Sequence, residues 1–306
     1  MAIALIIPDR KLDDLQLRLQ QALPQTPIYI WPDIPRPEQV SFAVLWKQPL
    51  GALASLPALK ALQSFGAGVD GILADPGLPP MPLARIVDPA LTKAMINYLD
   101  GIESYYRLRL DQFVAQQQAR TWRSRSPRRF QRICVLGLGE LGAAVATHFL
   151  QKGYQISGWS RRPKQLSGVD CYAGLSALPE AFANAQLVIC LLPLTPETKQ
   201  MLNTEVLAMM APGSIFINVA RGAIVDDAAL LQALDSGHLA AACLDVFATE
   251  PLPTEHPYWQ HPAVLVTPHS SAVTRVETVI AQIVDNYQRT EQGLPLLNQV
   301  DLSQGY

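Results

Sequence analysis

The stretch Ile133-Cys134-Val135-Leu136-Gly137-Leu138-Gly139-Glu140-Leu141-Gly142 decides how this chain is read. An apolar run of strand character enters three glycines at G-x-G-x-x-G spacing, and Ala143 to Gln151 then reads as a helix. That order of strand, tight turn and helix start is a site for a dinucleotide pyrophosphate. Gly137 would permit the turn, Gly139 the approach of backbone to phosphate, and Gly142 the close packing of helix on strand. Unpaired N–H groups around Glu140 and Leu141, with the helix dipole, favour an anion there. The alternative is a plain turn with incidental glycines.

Towards the C-terminus, apolar runs recur at Gln155–Trp159, Leu187–Leu191, Ser214–Val219, Ala240–Leu244 and Ala263–Val266, separated by helical stretches. This alternation predicts a doubly wound parallel sheet. The second strand ends in Ser160-Arg161-Arg162, where an NAD-specific site would carry Asp or Glu for the ribose 2′-OH. No carboxylate stands there to repel a 2′-phosphate. Ser160 offers a hydroxyl, and Arg161, Arg162 and Lys164 offer positive charge, which points to NADPH as the preferred cofactor with NADH possible. An exposed basic turn is the other reading.

Towards the N-terminus, apolar runs at Ala2–Ile7, Phe42–Trp46 and Leu59–Phe65 alternate with Pro-punctuated stretches, as in a second parallel α/β layer. Leu91 to Gln118 is poor in Pro and Gly, with Met95, Leu99, Ile102, Tyr106, Leu110 and Phe113 at helical spacing, and reads as one long helix bridging two domains. A final helix is expected from Ala272 to Glu291, with the tail returning to the first domain.

The 306 residues, 49% hydrophobic, suffice for two domain cores. With 24 Lys+Arg against 26 Asp+Glu, no global field favours nucleic acid or a membrane surface, so a small-molecule role fits better. Cys134, Cys171, Cys190 and Cys243 are scattered and lack metal or disulfide spacing; they read as buried thiols of a cytoplasmic protein with no metal site. Met1 to Ile7 is too short for a signal segment and is read as a strand. Between Arg120 and Arg132 lie six arginines. A solvated loop, an arm reaching a partner subunit with Trp122 as anchor, and a nucleic-acid contact are the three readings, of which loop plus arm is favoured.

Three later segments close strands of the dinucleotide half: Asn218-Val219-Ala220-Arg221-Gly222, Leu244-Asp245-Val-Phe-Ala-Thr-Glu250-Pro251 and Thr267-Pro-His269-Ser270-Ser271. Reduction of a 2-oxo acid needs a cation for the carboxylate, a hydride donor and an acid for the developing alkoxide. Arg221 suits the first task and His269 the third, while Glu250 on the other imidazole nitrogen would keep the histidine charged. Taken singly, each residue is as readily structural.

In that order behind the glycine motif, these residues resemble the D-2-hydroxyacid dehydrogenase family over nearly the whole chain. The likeness is greatest to its glyoxylate/hydroxypyruvate reductase A subgroup, through Ser64-Phe-Gly66-Ala67-Gly68-Val69-Asp70, Trp159-Ser-Arg161, Leu191-Leu192-Pro193-Leu-Thr-Pro-Glu-Thr198, Leu244-Asp-Val-Phe247 and the ending Gln304-Gly-Tyr306. The resemblance implies an α/β fold of two doubly wound domains: a Rossmann dinucleotide-binding domain (96–271) inserted in a flavodoxin-like substrate domain (1–95 and 272–306). It further implies that Arg221, Glu250 and His269 are catalytic and that backbone N–H groups of Ala67, Gly68 and Val69 hold the substrate carboxylate. Leu192, Pro193 and Thr198 would lie beside the cofactor, Val219 and Ala220 behind the nicotinamide, and Asp245 near its carboxamide, unless Asp245 caps local backbone instead. Trp46 either walls the substrate pocket or belongs to the core. A homodimer is also implied.

Asn97 stands where the family often has Glu, and Ser270-Ser271 where Gly-Ala is common, which puts substrate preference in question. A dinucleotide-sensing corepressor-like module and a phosphoglycerate-type dehydrogenase are the competing readings. The basic turn after Trp159 and the lack of a C-terminal extension argue against the latter.

Overall fold

A computed structural model describes residues 1–8 and 10–302; the subgroup-like ending Gln304–Tyr306 lies outside the described residues. The chain divides into unit 1, residues 1–91 and 274–306, and unit 2, residues 92–273. Those junctions fall four residues before and two residues after the expected domain boundaries.

Unit 1 begins with β1 (Ala2–Ile6), α1 (Asp13–Ala22), β2 (Ile28–Ile30), β3 (Val40–Leu45), β4 (Ala61–Ser64), α2 (Asp70–Leu73) and β5 (Leu83–Ala84). The all-parallel strands stand in the order β2-β1-β3-β4-β5, the flavodoxin-like order. β1 and β3 are buried along their full length, which is why they read as continuous apolar runs rather than alternating ones. β2 and β5 are too short to give a sequence pattern and were not foreseen.

The chain then enters α3 (Pro89–Arg107), followed by α4 (Leu110–Gln118). The expected single helix over 91–118 is therefore broken. Arg109 adopts left-handed φ of 62°, and Arg128 caps the end of α3 by donating to the Tyr106 carbonyl while forming a two-pronged pair with Asp111 at 2.8 and 2.7 Å. Arg109 donates to the Ser126 carbonyl at 2.7 Å. Part of the basic segment thus folds back on the helix end, whereas Trp122 is 98% exposed.

Unit 2 continues with β6 (Arg132–Leu136), α5 (Glu140–Gln151), β7 (Gln155–Ser160), β8 (Val169–Ala173), α6 (Leu178–Phe182), β9 (Leu187–Cys190), α7 (Thr204–Ala208), β10 (Ser214–Asn218), α8 (Asp227–Asp235), β11 (Leu239–Leu244) and β12 (Val264–Val266). The parallel sheet runs β12-β11-β10-β9-β6-β7-β8, reversing direction between β6 and β9. β8, a largely half-buried strand at the sheet edge, was missed because Asp170 interrupts Val169-Asp-Cys-Tyr-Ala173 and leaves only a three-residue apolar stretch. One core of the unit is built on Leu136, Val188, Phe216 and Leu244; the other packs Met95, Leu99, Ile102 and Tyr106 of α3 against Ile133, Ile189, Ile217 and Cys243.

The last helix, α9, spans Val276–Gln292, four residues later at its start than expected. Ala272 packs against a unit 2 core, whereas Val276, Val279 and Ile283 pack in unit 1, so the intervening residues serve as a connection. Beyond α9, Gln299 bridges antiparallel to Ala84, returning the tail to unit 1. No helix among the described residues is long and apolar enough to cross a membrane.

Candidate active site

The glycine turn after β6 has a distinct geometry at each glycine. Gly137 has φ of 98°, and a Cβ there would stand 2.7 Å from the Leu191 carbonyl oxygen, so both backbone shape and the strand next to it require glycine. A Cβ on Gly142 would overlap the Gly137 carbonyl, which fixes how tightly α5 seats on β6. At Gly139 nothing lies within 4 Å of a would-be Cβ. Gly139 caps α5, with Glu140 its first residue rather than Ala143. The exposed backbone of Gly139 and Glu140 at the first turn of a twelve-residue helix fits a pyrophosphate.

At the end of β7, Ser160 is buried and its hydroxyl donates to the Arg162 carbonyl at 2.7 Å, so its proton shapes the turn instead of pointing outward. Arg162 is exposed, and Arg161 reaches Glu197 at 3.4 Å. Glu197, unnoticed in the sequence, tempers the positive charge of the turn.

After β9, Leu192 is buried and Thr198 ties the following loop together. Its hydroxyl donates to the Pro193 carbonyl at 2.7 Å and accepts from the Thr195 N–H at 2.8 Å. Thr198 is therefore a loop brace. Because Gly137 abuts Leu191, this loop and the glycine turn leave the sheet side by side at the point where strand order reverses, where ligands bind in open α/β sheets.

Arg221, Glu250 and His269 follow β10, β11 and β12, three adjacent strands. Asn218, buried at the end of β10, accepts from the Ala220 N–H at 3.1 Å and donates to the Arg221 carbonyl at 3.0 Å, forming the turn that presents the arginine. Val219 and Ala220 are themselves buried. Gly222 is pressed against the Phe247–Ala248 backbone, with no room for a Cβ. Glu250 accepts from the Phe247 N–H at 3.2 Å, and its carboxylate oxygens lie 3.1 and 2.9 Å from His269 Nδ1. The glutamate and histidine are thus paired, and the arginine's loop touches the glutamate's.

Asp245 is fully buried. It accepts from the Ser270 N–H and the Ser271 N–H, each at 2.9 Å, and from the Thr267 hydroxyl at 2.5 Å. Its backbone carbonyl accepts the His269 N–H at 2.8 Å. The Asp245 carboxylate thus organises the turn that carries His269.

In unit 1, Trp46 is half-buried beside the core, and its ring covers Gly66 so closely that a Cβ there would collide. Ser64 accepts from the Gly66 N–H at 3.1 Å and donates to the Gly68 carbonyl at 2.8 Å, a brace across the glycine loop that sequence reading did not isolate. Ala67 and Gly68 are half-exposed; the Val69 side chain is in the core, leaving its backbone as the available group. Asn97 is exposed and Ser271 buried. Among the described residues no cluster of His, Cys, Asp and Glu is arranged to hold a metal.

The model of the D-isomer specific 2-hydroxyacid dehydrogenase NAD binding domain matches residues 104–271. Glyoxylate/hydroxypyruvate reductase A of Serratia proteamaculans (strain 568) is 41% identical over 298 residues, 94% of each chain. A crystal structure of a D-isomer specific 2-hydroxyacid dehydrogenase from Xanthobacter autotrophicus Py2, in complex with NADPH and MES, matches at 42% identity and a TM-score of 0.94, over 100% of this chain and 99% of that one. The NADPH-dependent glyoxylate/hydroxypyruvate reductase of Sinorhizobium meliloti, in complex with NADP and sulfate, matches at 31% identity and a TM-score of 0.89, each chain covered in full. The chain belongs to the D-isomer specific 2-hydroxyacid dehydrogenase family. It is an NAD(P)-dependent 2-hydroxyacid dehydrogenase, grouping with the glyoxylate/hydroxypyruvate reductases A.

Proposed function

We propose that this enzyme reduces small 2-oxo acids, glyoxylate to glycolate and hydroxypyruvate to glycerate, with NADPH preferred and NADH a weaker donor. The observation that carries the reading is the Glu250–His269 pair at 2.9 Å. A carboxylate only accepts, so the His269 Nδ1 holds a proton against Glu250 and Nε2 is left to protonate the substrate oxygen. Arg221 binds the substrate carboxylate, and the backbone N–H groups of Ala67, Gly68 and Val69 in unit 1 are suited to an anion. The bound NADPH supplies the hydride. Gly137, Gly139, Glu140, Leu141 and Gly142 hold its pyrophosphate at the start of α5, and Arg161 and Arg162 its 2′-phosphate. Leu192, Pro193, Val219 and Ala220 form apolar walls for its nicotinamide end.

The test is loss of nicotinamide absorbance on mixing the protein with NADPH and glyoxylate, hydroxypyruvate or pyruvate. Turnover of the first two with NADPH favoured over NADH is expected. Tight NADPH binding with no turnover of any 2-oxo acid would replace the enzyme by a dinucleotide sensor. Exposed Leu108, Leu110, Val114 and Trp122 support association of two copies, and a molar mass of one chain by light scattering would remove that part of the proposal.

A further inference from the structure

The turn 267–271 holds His269 in left-handed backbone with φ of 50°, a conformation that is unfavourable for a residue bearing a side chain. The N–H groups of His269, Ser270 and Ser271 all converge on Asp245, the first on its carbonyl and the others on its carboxylate. The direction of the His269 imidazole therefore depends on where the Asp245 carboxylate is held. That carboxylate is fully buried, and of the two hydroxyls of the turn that donate to it the short contact is that of Thr267, at 2.5 Å against 3.5 Å for Ser270. Thr267 is in turn 2.7 Å from the Tyr98 hydroxyl, which projects from α3 and also lies 3.4 Å from Cys243 Sγ on β11.

The donors in this line can be ordered. Asp245 can only accept, so the Thr267 proton points to it; Thr267 then accepts from Tyr98, and the Tyr98 lone pair is left for the Cys243 thiol. Burial pushes both the Tyr98 phenol and the Cys243 thiol up, so both stay protonated throughout the working range and the order does not change.

We propose that Tyr98 is a positioning residue for the reduction: acting through Thr267, it holds the Asp245 carboxylate and with it the left-handed turn that aims His269. This rests on the reading of His269 as the acid. Tyr98 acts through Thr267 and is assigned no direct contact with substrate or cofactor. Its effect is on geometry, and an acid slightly misaimed loses rate more than it loses binding.

The experiment compares Tyr98→Phe, Thr267→Val, Thr267→Ser and the Tyr98→Phe/Thr267→Val double variant, with His269→Ala alongside. Single-turnover and steady-state reduction of glyoxylate by NADPH are measured, with Tm as the control for folding. Tyr98→Phe is expected to lower kcat roughly tenfold with KM for glyoxylate and NADPH affinity within about twofold. Thr267→Val is expected to lose at least as much, Thr267→Ser to recover to within about threefold of wild type, and the double variant to lose no more than Thr267→Val, because both substitutions cut one chain. Wild-type kcat in Tyr98→Phe, additive losses in the double variant, or a loss confined to KM would overturn the proposal. Full turnover in His269→Ala would overturn the acid reading instead, while an inactive His269→Ala beside an unaffected Tyr98→Phe would end only the present one.

Discussion

His269 Nδ1 lies 2.9 Å from Oε2 of Glu250 and 3.1 Å from Oε1, and the two residues come from loops after adjacent strands. The pairing determines which imidazole nitrogen is free. His269→Ala should lower kcat by about 10²- to 10⁴-fold with NADPH affinity nearly unchanged. Glu250→Gln, which keeps the shape but removes the charge that pairs with Nδ1, should lower kcat by a smaller factor. Steady-state kinetics checks both; a wild-type kcat in Glu250→Gln would separate the pair from the chemistry.

Arg221 is presented by a turn that Asn218 builds from both sides. Arg221→Lys keeps the charge but loses the planar fork that matches a carboxylate. A fall in kcat/KM for 2-oxo acids of roughly 100-fold, with higher KM and unchanged NADPH binding, is expected. Retention of wild-type KM would mean that the carboxylate is held elsewhere.

The basic turn after β7 bears on cofactor choice. Replacing Arg161 and Arg162 together by Ala should lower the NADPH/NADH ratio of kcat/KM by about 10- to 100-fold, mainly through a weaker NADPH term. An unchanged ratio would mean that these arginines do not select the cofactor, and Glu197→Gln, which removes the carboxylate facing Arg161 at 3.4 Å, should shift the ratio slightly the other way.

The glycines make separable predictions. Gly142→Ala meets the Gly137 carbonyl and should lower Tm by roughly 5 °C or more, whereas Gly139→Ala meets nothing within 4 Å and should leave Tm within about 2 °C. Gly139→Ala should instead weaken NADPH binding, because the added methyl occupies the space through which a phosphate approaches. Calorimetry and fluorescence titration of the two variants distinguish the roles.

Thiol labelling probes the unit 2 core. Burial pushes Cys134, Cys190 and Cys243 up to about 12, so below that pH they remain thiols, and their packing keeps reagents out. At pH 8 a disulfide reagent should modify the half-buried Cys171 alone in the native protein and all four cysteines after denaturation. Rapid native labelling of more than one thiol would contradict the packing described.

What the amino-acid sequence determined by itself was whatever rests on neighbours along the chain. The run from Ile133 to Gly142 was legible because strand, turn and helix start are consecutive, and each glycine answers to a local backbone requirement. The strands β1, β3, β6, β9 and β10 were legible because burial of all or nearly all of their residues writes an apolar run, and the position of Arg221, Glu250 and His269 after successive strands was legible because each follows a short apolar stretch.

Tertiary structure alone decided what depends on partners far along the chain. The break at Arg109 comes from Arg128 capping the helix end, and the start of α9 at Val276 from Ala272 packing in the other unit. The same holds at the site: Ser160 turned inward, Thr198 became a brace, and Asp245 became the anchor of the His269 turn. A hydroxyl or carboxylate has the same composition signal whether it meets a ligand or a backbone N–H. Which of them it meets is set by distances of about 3 Å between groups tens of residues apart, and those distances exist only once the sheet has formed.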